Sequence, residues 1–176
     1  MGDEAIQRAA LVFKVFDVNG NGVLDVQDFD LMTRRVSAVA GDSADEERQA
    51  LADSLSAYWQ VLADALDTDG DGVISPAEFE GFVLDAERFA PTASAFADAL
   101  ATLGDPDGDG LIERPRFLAL MTAIGFDPAN TDALFDALAQ GGADRIPVTT
   151  WADAIRDYYA PDKTGIPGDR LVTLQA

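Results

Sequence analysis

The chain contains no cysteine and no histidine. Their absence excludes disulfides, thiol chemistry, the commonest zinc ligands and the side chain most often used as a general base. Methionine is scarce, with Met1, Met32 and Met121 the only three. The flexible, polarisable surface that grips many different partners is therefore poorly supplied. Positive charge is also short: 12 Lys and Arg face 32 Asp and Glu, a net charge of −20. That balance argues against nucleic acid and anionic membranes, which need a basic face, and favours bound cations. No apolar run approaches the roughly 20 residues of a membrane span. The acidic start, Met1 to Glu4, lacks the apolar core of a secretion signal, and Ile6 stands where myristoylation would want Ser or Thr. A cytoplasmic location is expected. Arginine outnumbers lysine and alanine is abundant, which suits a GC-rich bacterial source. Hydrophobic residues make up 48% of the 176, enough for a packed core rather than disorder.

What the chain does have is acidic residues at regular spacing. The stretch Asp67-Thr-Asp-Gly-Asp-Gly-Val-Ile-Ser-Pro-Ala-Glu78 places carboxylates at positions 1, 3 and 5 (Asp67, Asp69, Asp71), glycine at 6 (Gly72) and glutamate at 12. Alternate side chains of a curled loop point at one centre, the Val73 carbonyl adds an oxygen, and Glu78 closes the shell with two more. Seven hard oxygens suit Ca2+. Ser75, Pro76 and Glu78 also encode the start of an exit helix, as cap, first-turn proline and capping-box partner.

Two further loops follow the pattern in part. Asp17, Asn19, Asn21 and the Val23 carbonyl repeat it, with Asp25 at position 9 and Asp28 at position 12. Asp28 is one methylene shorter than Glu, so it is expected to ligate through one oxygen and to shift preference towards Mg2+. Asp105, Asp107, Asp109, the Leu111 carbonyl and Glu113 form a third set, but position 12 is Arg116. Weaker calcium binding is expected there, with water supplying the missing oxygens. A fourth unit is legible only in its apolar residues. Leu24, Ile74 and Ile112 occupy position 8, each followed five residues later by Phe29, Phe79 and Phe117; Ile146 and Trp151 repeat that spacing. The implied fourth loop, 139–150, has Ala139, Gly141, Ala143, Pro147 and Thr150 at ligand positions and is expected to hold no metal.

Apolar residues at helical spacing flank these loops. Ala9, Val12, Phe13 and Phe16 lead into the first. Leu51, Leu55, Trp59, Leu62 and Leu66 lead into the second, in a helix that Ser43 or Asp45 could cap, and Phe79, Phe82 and Val83 leave it. A new segment is expected to start at Pro91. The tail, 160–176, reads as non-helical, with Leu171, Val172 and Leu174 folding back onto the body.

With four such units the chain resembles the EF-hand proteins, and more narrowly the sarcoplasmic calcium-binding protein and calerythrin group, including bacterial calcium-binding proteins of actinomycetes. The resemblance covers residues 5–159 and departs from the pattern at Arg116. It implies an all-α fold of four helix-loop-helix hands in two pairs, with short antiparallel contacts between paired loops. The expected units are an N-terminal pair (1–90), a C-terminal pair (91–160) and a tail (161–176). The implied function is calcium binding as an intracellular buffer or modest regulator, by a monomer with no catalytic residue. The alternative is a sensor that exposes a groove for one dedicated protein helix, its partner unknown. A third reading, the Asp-x-Asp start of Mg2+-dependent haloacid dehalogenase-type phosphotransferases, needs a strand before Asp67 and a later lysine. The sequence there reads as helix, and its only lysines are Lys14 and Lys163.

Because Glu78 offers two oxygens and Asp28 is expected to offer one, Glu78→Gln should weaken its loop more than Asp28→Asn weakens the first. Titration calorimetry of the two variants checks the order.

Overall fold

The computed structural model describes residues 3–83, 85–140 and 142–172. Among the described residues, eight α-helices carry the fold: α1 Asp3–Phe16, α2 Val26–Val39, α3 Asp45–Leu66, α4 Pro76–Val83, α5 Ala86–Leu103, α6 Arg114–Ile124, α7 Pro128–Leu138 and α8 Val148–Tyr159. Two three-residue strands, β1 Leu111–Glu113 and β2 Arg145–Pro147, and a 3-10 helix, Pro167–Leu171, complete it. Successive helices pair around the four expected loops.

The position-8 residues join loops two by two. Leu24 and Ile74 exchange both backbone hydrogen bonds at 2.9 Å, and Ile112 faces Ile146 in the antiparallel β1–β2 ribbon. All four side chains are fully buried. Beneath them lie Phe29, Phe79, Phe117 and Trp151, also buried, with Phe117 centred 5.2 Å from Phe135 and 4.8 Å from Trp151. Such offset and edge contacts add to the area that each ring removes from water.

The two pairs share one core. Tyr58 on α3 stacks edge-on against Phe16 of α1 and against Phe89 and Phe96 of α5. α5 in turn lies along α8. The expected change of unit at 90/91 falls inside α5, which starts at Ala86 under an Asp85 cap and runs through Pro91. Proline removes one amide donor there, on a solvent-exposed face that water can satisfy. The cap expected at Ser43 or Asp45 is absent: α3 begins after Ala44 with no side-chain cap. Ser43 is instead buried, its hydroxyl donating to the Leu103 carbonyl at 3.3 Å. Phe82, Val83 and Leu174 lie outside the residues whose side chains are described.

The tail folds back, and it is not wholly irregular, since it includes the 3-10 helix. Leu171 is buried, and Gly168 sits so close to Tyr158 that a Cβ would come within 2.7 Å of the ring. Arg8, on α1 and only 2% exposed, organises this segment. It donates to the carbonyls of Tyr158, Ala160 and Lys163 at 2.8, 2.9 and 3.0 Å, and to Asp169 Oδ1 at 2.7 Å. The first two carbonyls end α8, where a cation meets the negative end of the helix dipole.

Arg8→Ala would take the donor from the buried Tyr158 carbonyl and the cation from the half-buried Asp169 carboxylate. It should cost on the order of 3 kcal/mol, read as a lower midpoint in urea unfolding.

Candidate metal centre

Three loops share one hydrogen-bond scheme. In the middle loop the amides of Asp71 and Gly72 donate to Asp67 Oδ1 and Oδ2, both at 3.0 Å. The Asp71 amide also reaches Asp69 Oδ1 at 3.2 Å, and the Val73 amide reaches Asp71 Oδ1 at 3.0 Å. The first loop repeats these bonds from Asn21, Gly22 and Val23 to Asp17, Asn19 and Asn21. The third repeats them from Asp109, Gly110 and Leu111 to Asp105, Asp107 and Asp109. The curl depends on glycine at positions 4 and 6. Gly70 and Gly72 have φ of 72° and 82°, in the left-handed region where a Cβ is strained.

This scheme brings together the three aspartates of the second and third loops, while Glu78, Asp28 and Glu113 are not among the converging groups. The carboxylates of Asp67, Asp69 and Asp71 lie within 4.8 Å of one another, as do those of Asp105, Asp107 and Asp109. At about 4 Å two like charges repel by roughly 1 to 4 kcal/mol, depending on local polarity, so each group fits a divalent cation. Oxygen is the only donor atom, which suits Ca2+ or Mg2+ over softer metals. Asn19 and Asn21 take two of these places in the first loop, so Asp17 has fewer carboxylate neighbours.

Position 12 is built differently in each loop. Glu78 Oε2 accepts from the Ser75 amide (2.9 Å) and hydroxyl (2.8 Å), and Oε1 accepts from the Thr68 hydroxyl at 3.0 Å. The expected Ser75 cap is present. These bonds, the Ser75 amide foremost, hold the Glu78 carboxyl down at about 2 against the usual 4.5. Asp28 is held likewise by the Asp25 and Asn19 amides at 3.0 and 3.2 Å, and with Asp25 it forms a capping box on α2. It is fully buried, and burial pushes its carboxyl up despite those bonds. Glu113, expected as a ligand, is outside the converging aspartates; it lies in β1 opposite Arg145. Arg116 turns away from its loop altogether.

The fourth loop carries no ligand set among its described residues. Arg114 pairs with Asp132 and Asp136 at 2.6 Å and with Asp144 at 3.1 Å, and sits 4.4 Å above the Phe135 ring. Sequence reading missed Arg114, Thr68 and the Asp25–Asp28 box. Only the last had a signal, the same three-residue spacing as Ser75 and Glu78.

The profile of the EF-hand domain pair matches residues 6–84. No curated protein matches significantly. Among solved structures, a Streptomyces coelicolor calcium-binding protein, studied for prokaryotic calcium-mediated regulation, is 31% identical over 90% of this chain and 99% of its own, with a TM-score of 0.74. The amphioxus sarcoplasmic calcium-binding protein shares the fold across 100% of both chains at 19% identity and a TM-score of 0.72. The coelenterazine-binding protein of Renilla muelleri shares it across 97% of both at 16% identity and a TM-score of 0.64. The chain therefore belongs to the EF-hand calcium-binding proteins. No described helix is long and apolar enough to cross a membrane.

Two outcomes are expected. A bound ion at a hundred times its dissociation constant adds about 2.7 kcal/mol per site, so excess EGTA should lower the melting temperature substantially. Ligands bind as carboxylates, so protons compete with metal. Asp28, with its raised pKa, meets that competition at higher pH than Glu78 at about 2. On acidification the Gly22 amide signal should lose its calcium-bound position before that of Gly72, as followed by NMR.

Proposed function

We propose that this protein is a calcium buffer or modest calcium-dependent regulator that works as a monomer in the bacterial cytoplasm. Two loops hold the ion firmly, through Asp17, Asn19, Asn21, Val23 and Asp28, and through Asp67, Asp69, Asp71, Val73 and Glu78. The third binds more weakly through Asp105, Asp107, Asp109 and the Leu111 carbonyl. Mg2+ competes best at the first. The observation that carries this reading is the hydrogen-bond scheme common to the three loops, which aims their oxygens inward. Preorganised oxygens lower the ordering cost of binding.

The buffer role is supported by where the apolar surface sits. Among the described residues the large exposed hydrophobics are Val26 and Val39 alone. The aromatic faces of the hands are packed against one another, and the tail covers part of the rest. A sensor that takes one dedicated helix is the second reading. It is favoured by the similarity to a Streptomyces coelicolor protein studied for calcium-mediated regulation.

Titration calorimetry with Ca2+, with and without Mg2+, should count two tight sites and one weak one. A hydrophobic dye should brighten little when calcium replaces EGTA. A large calcium-induced rise would favour the sensor, and no heat of binding would overturn both readings.

A further inference from the structure

Arg116 stands where the third loop would carry its closing carboxylate, and its side chain is only 11% exposed. Nε and Nη2 donate to the Leu103 carbonyl at 3.3 and 3.0 Å. Nη1 donates to the Val39 carbonyl at 2.9 Å and pairs with Asp42 Oδ1 at 2.7 Å, while Nη2 also reaches the Ser43 hydroxyl. Val39 is the last residue of α2 and Leu103 the last of α5. Two helix C-termini, each the negative end of a dipole, thus converge on one cation. α2 is the exit helix of the first hand; α5 and α6 flank the third loop.

We propose that Arg116 makes the third hand a fixed one: a guanidinium clamp, in place of a metal ligand, ties α6 to the end of α2 whether or not the third loop holds calcium. The reason lies in what position 12 does elsewhere. Asp28 and Glu78 are ligands and also first-turn residues of α2 and α4, so an ion in either loop bonds to its exit helix. In the third loop Asp105, Asp107, Asp109 and the Leu111 carbonyl all precede Arg114, where α6 starts. An ion held by those groups makes no bond to α6. The junction between the pairs therefore does not answer to calcium in the third loop, an inference that rests on the calcium reading above.

Amide hydrogen exchange on the full-length protein tests this at Ala40 and Ser43, whose amides donate to the Val36 and Ala40 carbonyls beside the clamp. Both should already be protected in EGTA. Asp105→Asn, which cripples the third loop, should leave their protection in calcium unchanged. Arg116→Gln should speed exchange at both by about tenfold in EGTA and in calcium, since hydrogen bonds to a charged group are lost. Asp42→Asn should act in the same direction and more weakly. Unchanged exchange in Arg116→Gln, or altered protection in Asp105→Asn, would overturn the proposal. So would an equal rise throughout α7 and α8, which would make the guanidinium a general stabiliser. Calorimetry on the wild type separates the two readings: absence of calcium binding would sink the functional one, while the EGTA comparison would still judge the clamp.

Discussion

Negative charge gathered within a few ångströms is the constraint on which this structure depends. Each of the three loops turns carboxylate or carboxamide oxygens inward and fastens them with its own amides. The first aspartate accepts from residues 5 and 6 of its loop, and the left-handed glycines let the backbone curl tightly enough to make those bonds. The arrangement is electrostatically unfavourable by itself and becomes favourable around a hard divalent ion. Helices, paired loops and core exist to hold that geometry in place.

Positive charge is scarce, and its placement is informative. Arg8 collects the carbonyls at the end of α8 and in the tail; Arg48 collects those of Ala40, Gly41 and Ser43; Arg116 collects those ending α2 and α5. These are positions where a helix dipole or unpaired carbonyls attract a cation. Arg114 pairs with the exposed Asp132, Asp136 and Asp144, and those bonds raise its own already high pKa. Two arginines next to the third loop thus take their acceptors from α2, α5 and α7.

Most of the fold was legible because its signals are local. Loop ligands sit at set intervals within twelve residues, and the residue at position 8 and the aromatic five beyond it recur in all four hands, which exposed the fourth despite its missing ligands. The misplaced cap and helix start were non-local. Ser43 looks like a cap, but its hydroxyl is drawn to Leu103 and Arg116, some sixty and seventy residues away. Pro91 looks like a helix start, but packing of α5 against α3 and α8 carries the helix through it. Arg8 gives no sign of its partners, which lie at least 150 residues further along the chain.

What the residues set unaided is the spacing of candidate oxygens along three short loops, since a pattern within one turn needs no distant partner. Tertiary packing alone decided where the buried cations go and how the halves are joined. A guanidinium takes its acceptors wherever folding leaves helix ends exposed, and those ends meet only in three dimensions.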